Sequence, residues 1–294
     1  MFTVNRALVV GISLAMASFS ISAQTNAPAG KEGPIFSLEQ FGPVKTVTDA
    51  EAAFQKASKD IIAADLPVAG YTLVWADEFN GSVLDTNKWV YRALGPRKGG
   101  VNVAEAVTLD GKGCLILTTK RVGDMYHTAM IGTQGKFETT YGYFECRVQL
   151  QSQIGHWSAF WLQSPTIKQH NGNPAQAGTE IDIFEYLRKK GDTVQHTLHW
   201  NGYGIDHRSA AATPRLPGLS KGWHAFGLLW TAHEYVFYVD GKETWRTDKA
   251  VSQRSEYMIL SLEVGEWAGD ITSATLPDSL VVDYVRVYQK TGSP

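Results

Sequence analysis

Cysteine is scarce in this chain: Cys114 and Cys146 are the two among 294 residues. Two are too few for a disulfide-stapled scaffold, and neither Cys-x-x-Cys nor His-Glu-x-x-His spacing occurs, so nothing points to zinc. Each cysteine falls inside a strand-like run, which leaves one disulfide and two buried thiols equally open. An excess of one charge is lacking too. With 27 basic against 29 acidic residues, nothing draws the chain to nucleic acid or to an anionic membrane surface. A membrane-length apolar run is missing from the N-terminus: Ala7–Met16 is almost wholly apolar but falls short of the ~20 residues a span needs. No repeat or low-complexity tract appears, and no alternation of strand and helix patterns, which argues against solenoids and doubly wound α/β folds.

What is present begins with that short apolar run. It follows a basic lead, Met1–Arg6, and precedes small residues ending at Ser22-Ala23, the pattern of a secretory signal cleaved near Ala23. The expected destination is secreted or periplasmic. Residues 24–66 form a polar, alanine-rich extension in which Asp49–Ala64 carries apolar residues at Ala53, Phe54, Ile61 and Ile62. That spacing predicts one amphipathic helix capped by Thr48 or Asp49. From residue 67 to 290 the texture changes to short apolar runs punctuated by Gly, Asp and Asn. Gly113–Lys120, Tyr143–Leu150, Tyr235–Val239 and Leu280–Tyr288 read as strands, with Asp110-Gly111 and Asp240-Gly241 as turns. Many short strands without interleaved helices predict an all-β sandwich in one domain.

The chemistry-bearing stretch is Gly178–Tyr186, GTEIDIFEY. Residues two apart on a strand share a face, so Glu180 and Asp182 point together while Ile181 and Ile183 point to the core. Glu185 lies an odd five residues from Glu180, and one extra residue, a bulge between Asp182 and Glu185, would return it to their face. An exposed acidic strand is the bland reading of Glu-x-Asp-x-x-Glu. Three clustered carboxylates raise one another's pKa, however, and a glycosidase needs one carboxylate to attack and one carboxyl kept protonated. Just upstream, Gly155–Leu162 places Trp157, Ala159 and Trp161 on one face and Ser158 and Phe160 on the other. The two indoles fit a platform for the apolar faces of sugars, against the plainer reading that one of them is core.

With these residues in place, the chain resembles glycoside hydrolase family 16, in its laminarinase-like form with the bulged Glu-x-Asp-x-x-Glu. The matching stretches are Leu73–Gly81 with Leu84-Asp85 and Lys88-Trp89, Tyr141–Arg147, Gly155–Trp161, Glu180–Glu185, Thr197–His199, Tyr238–Gly241 and Val282–Tyr288. The resemblance implies a concanavalin-like β-jelly roll of two curved antiparallel sheets and an endo-acting hydrolase that retains anomeric configuration. It implies Glu180 as nucleophile, Glu185 as general acid/base, Asp182 tuning both, and His199 beside them. Strand parity puts His196 on the other face, in a structural role. Trp157, Trp161 and Trp267 match aromatic subsite positions. Retention demands carboxyl groups about 5–5.5 Å apart, whereas the two backbones would lie roughly 13 Å apart at ~3.3 Å per residue. The fold must therefore bring the side chains together on one face.

Departures from the family's pattern carry their own expectations. Ser158 stands where laminarinases commonly have Pro. Glu263 stands where many have a small apolar residue, and would reshape the donor subsites. Trp200 is either an extra platform or a loop anchor. The resemblance implies no cofactor for catalysis and offers a structural calcium at Asp283 and Glu78. The expected partner is a polysaccharide, a neutral β-1,3- or β-1,3/1,4-glucan ahead of an agar- or carrageenan-type galactan, cut by a monomer. The alternatives are a transglycosylase with the same covalent intermediate and a non-catalytic lectin-like module.

Overall fold

The computed structural model describes residues 66–169 and 172–292, together with three short strands nearer the N-terminus. The chain divides into two units, Met1–Leu66 and Pro67–Pro294. In the first, Val9–Gly11, Ser20–Gln24 and Ile35–Ser37 form a small antiparallel sheet. The remainder of the expected export signal and the expected Asp49–Ala64 helix lie outside the described residues.

The second unit is a β-sandwich, as the pattern of short runs predicts. One sheet sets Lys242–Thr247, Tyr235–Val239, Trp223–Trp230, Gly142–Gln149 and Asp278–Lys290 side by side, all antiparallel. The long last strand then pairs with Leu115–Val122 along its first half and Tyr71–Asp77 along its second. The other sheet runs Arg208–Ala212, Val194–Trp200, Glu180–Leu187, His156–Gln163, Tyr257–Val264 and Met125–Gly132. A hairpin from Leu115–Val122 into Met125–Gly132 carries the chain between them, so the sheet system nearly closes on itself. Helix is scarce among the described residues, where the α-helix is the four-residue Pro174–Ala177.

Alternation builds the core. Phe160, Ile181, Phe184 and Leu260 from one sheet meet Phe144, Phe226, Leu228 and Val285 from the other, all fully buried. The Phe184 and Phe226 rings, 4.2 Å between centroids, join the sheets directly behind the acidic strand. Asp240 and Gly241 both have positive φ, 50° and 72°, the mirror-image turn whose twist suits a two-residue hairpin. The strand expected at Gly113 begins instead at Leu115, because Gly113 at φ 96° still belongs to the turn. Both cysteines are free thiols, Cys114 half-buried and Cys146 buried, and burial raises both above the ordinary thiol range.

Candidate active site

The acidic strand Glu180–Leu187 is entered through Gly178, which has φ 87°. A Cβ there would lie 2.1 Å from that of Ser164, so only glycine permits the approach. Along the strand, Asp182 pairs with Thr197 and Glu185 with Gln195, with an irregularity between them. Two residues, Ile183 and Phe184, therefore face one, His196. This is the expected bulge. Both turn into the core, and Glu185 comes back beside Ala159, Asp182 beside Trp161. All three carboxylates thus occupy the sheet face that carries Trp157 and Trp161.

The neighbours of the three acids differ. Glu180 accepts at Oε2 from Gln163 Nε2 at 2.9 Å and from the hydroxyl of Tyr203. Gln163 is itself held by Arg92 (2.8 Å) and by the Tyr257 hydroxyl (2.6 Å) at its Oε1. Burial raises the Glu180 carboxyl, and the Tyr203 and Gln163 donors oppose that rise. Burial, then the Glu180 charge, pushes Glu185 up to about 8, opposed by the Thr197 hydroxyl at 3.4 Å. Asp182 is raised well above the carboxylate range by burial, then by Glu185 and Glu180. At neutral pH the arrangement therefore favours Glu180 as the ionised carboxylate, with Glu185 protonated. His199 Nε2 lies 3.4 Å from Asp182 Oδ2 and its Nδ1 is 2.8 Å from His207 Nε2. Burial, then His207, depresses His199 to about 4, so it stays neutral.

The other expected site residues divide. Trp157 and Trp161 stand on the carboxylate face but are buried, 7% and 8% exposed, each packed in a small apolar cluster. Trp267 is 39% exposed, edge-on to Trp157 at 5.4 Å, with Lys190 over its ring. Glu263 sits opposite Trp157 and is paired with Arg97 at 2.5 Å. Trp200 is not a platform: it lies on the face opposite His199 and packs against the main core, as strand parity requires. Glu78 and Asp283 do not form a cation site either. Arg286 takes both oxygens of Glu78 at 2.8 Å, and Arg147 pairs with Asp283. With each carboxylate neutralised by its own guanidinium, the donor set does not fit calcium. The three-ligand cluster found among the described residues is Glu180, Asp182 and His199, at the acidic centre itself.

Tyr203, Gln163, His207 and Arg97 contribute to the site without having been foreseen. Tyr203 and His207 lie in the loop after Trp200, where no periodicity marks a side chain's direction. Gln163 had a signal: it continues the alternation of Trp157, Ala159 and Trp161 by one more step.

Comparison with known proteins agrees with this geometry. The family described as Glycosyl hydrolases family 16 matches residues 100–286. A β-glucanase of Rhodothermus marinus is 30% identical, over 74% of this chain and 85% of its own length. A keratan-sulfate endo-1,4-β-galactosidase of Sphingobacterium multivorum is 28% identical over 84% of this chain, which spans 61% of that enzyme. The laminarinase of Flavobacterium sp. UMI-01 superposes with a TM-score of 0.66 at 28% identity, covering 74% of this chain and 100% of its own.

Proposed function

The chain belongs to family 16 of the glycosyl hydrolases, and on that premise we propose that it is an exported, retaining endo-β-glycanase acting on a β-1,3- or mixed-linkage β-1,3/1,4-glucan. The observation that carries the reading is the contrast between two glutamates on one face. Glu180 is held by two donors, and Glu185 keeps its proton up to about pH 8. In the first step a Glu180 oxygen attacks the anomeric carbon while the bond to the leaving oxygen breaks, and Glu185 gives that oxygen its proton. In the second, Glu185, now a carboxylate, takes a proton from water as the water oxygen attacks the same carbon and displaces Glu180. Two inversions give net retention. Asp182, protonated between the two, adds no charge to oppose the attack.

The β-glucanase and laminarinase relatives support a glucan, and the Met1–Ala23 pattern supports export. Two observations favour a galactan as second substrate: the Arg97–Glu263 pair puts a donor and an acceptor beside Trp157, at the carboxylate expected to reshape the donor subsites, and a keratan-sulfate endo-1,4-β-galactosidase is among the relatives. The test pairs wild type with Glu180→Ser on laminarin, barley β-glucan, agarose and keratan sulfate, following product anomers by NMR. The proposal expects β-anomeric oligosaccharides from a glucan and a folded, inactive variant. Binding without cleavage would transfer the reading to a lectin, and α-anomers would end the retaining mechanism.

A further inference from the structure

A bulge leaves backbone groups without ladder partners, and a buried carbonyl without a partner is unfavourable. At the bulge in the acidic strand the exposed flank is not water but the core, because Ile183, Phe184 and His196 are all fully buried. His196 turns inward and brings Nδ1 to 2.6 Å from the Ile183 carbonyl oxygen. A carbonyl can only accept, so Nδ1 carries the proton. The other ring nitrogen, Nε2, faces the Thr244 hydroxyl at 2.9 Å.

Thr244 is itself an extra residue. In the opposite sheet Phe237 pairs with Trp245 and Tyr238 with Glu243, so Thr244 stands in a second bulge. The Phe237 ring also packs on the imidazole at 4.9 Å. One imidazole thus ties a bulge in the acidic sheet to a bulge in the sheet behind it. The first bulge decides which way Glu185 points, since a straightened strand would send Glu185 into the core.

We infer that His196 is a positioning residue for the general acid/base, holding the Ile183 carbonyl so that Glu185 is presented on the face of Glu180. The inference rests on the roles proposed above for those two glutamates. It goes beyond a packing role, because it requires the loss of His196 to damage proton transfer more than substrate binding or the attack itself.

The experiment uses the full chain and three substitutions. His196→Asn keeps an amide N–H near the place of Nδ1, His196→Gln moves it to the place of Nε2, and His196→Leu removes it. Each is assayed on the polysaccharide and on a dinitrophenyl β-oligoside of the released donor sugar, with and without azide, beside Glu185→Ala. The dinitrophenolate leaves without acid help, and azide replaces the base-activated water. Expected for His196→Leu and His196→Gln is a loss of kcat on polysaccharide on the order of 10²-fold with KM nearly constant. Dinitrophenyl turnover in azide should be largely restored, as for Glu185→Ala, and His196→Asn should stay near wild type. Proportional loss on both substrates without azide rescue would reduce His196 to a structural residue and overturn the inference. Failure of azide to rescue Glu185→Ala would remove the acid/base assignment itself, and the inference with it. Should His196→Leu not fold, Asn against Gln carries the comparison.

Discussion

Tyr203 and Gln163 both donate to Glu180, whereas among the described residues the donor to Glu185 is the Thr197 hydroxyl at 3.4 Å. The same side-chain type is thereby given two protonation states by its surroundings. The pH dependence of kcat/KM follows with definite signs. Activity should decline above about pH 8, as Glu185 loses the proton it must give. Tyr203→Phe removes a donor that lowers Glu180, so the acid limb should move to higher pH while the alkaline limb stays. On the acid side the loss should be about tenfold, the order of one hydrogen bond to a charged group. A Tyr203→Phe profile that shifts on its alkaline side instead would detach Tyr203 from the nucleophile. At this scale the sequence is legible where alternation applies. Glu180, Asp182 and Glu185 follow from parity plus one bulge. The partners of Glu78 and Asp283 do not, since Arg286 and Arg147 arrive from 208 and 136 residues away.

The aromatic strand His156–Gln163 shows the same division at the scale of an element. Its faces are readable from alternation, and Trp157 and Trp161 do line the carboxylate side. What alternation could not supply is the support beneath them. Ser158, on the core side, donates to Gln151 Oε1 at 2.6 Å. Gln151 in turn donates to the Tyr186 carbonyl at 2.9 Å and to that of His156. A buried glutamine therefore stitches the aromatic strand to the residue after Glu185. Ser158→Ala would leave the Gln151 oxygen buried without a donor, at a cost of about 1–3 kcal/mol. Urea unfolding should show that loss with the slope unchanged, and the pH–rate profile should keep its limbs. A neutral effect on stability would mean that Gln151 finds another donor. Trp200 makes the complementary point. One step past His199 the alternation puts it on the core side, and the structure agrees with parity over the platform alternative.

Across the whole molecule, the groups shifted by burial set opposing slopes of stability against pH. Glu256 is fully buried, with Oε1 accepting from the Thr179 N–H at 3.1 Å, and burial pushes it up to about 8, as it does Glu185. A carboxyl raised on folding is one that the folded state prefers protonated. Its contribution is whole below the ordinary value of 4.5 and is lost as pH rises through about 8. His196 and His199 behave in reverse. Each is depressed from 6.5 to about 4, so its contribution is present above 6.5 and is lost as pH falls through about 4. Of these groups the carboxyls act alone above 6.5, where the raised His224 adds to the fall. The two histidines act alone below 4.5, where the lowered Asp192, Asp240, Asp270 and Asp278 add to it. The melting temperature should therefore peak between those values and fall toward pH 8, a mildly acid optimum for a chain that is nearly neutral overall. Glu256→Gln isolates one cause, because the amide keeps the shape and cannot ionise. It should raise the melting temperature at pH 8, change it little at pH 5, and leave the acid side of the curve in place. A melting temperature that climbs steadily to pH 8 in wild type would contradict the buried-carboxyl account. Equal effects of Glu256→Gln at both pH values would place its influence in packing and not in charge.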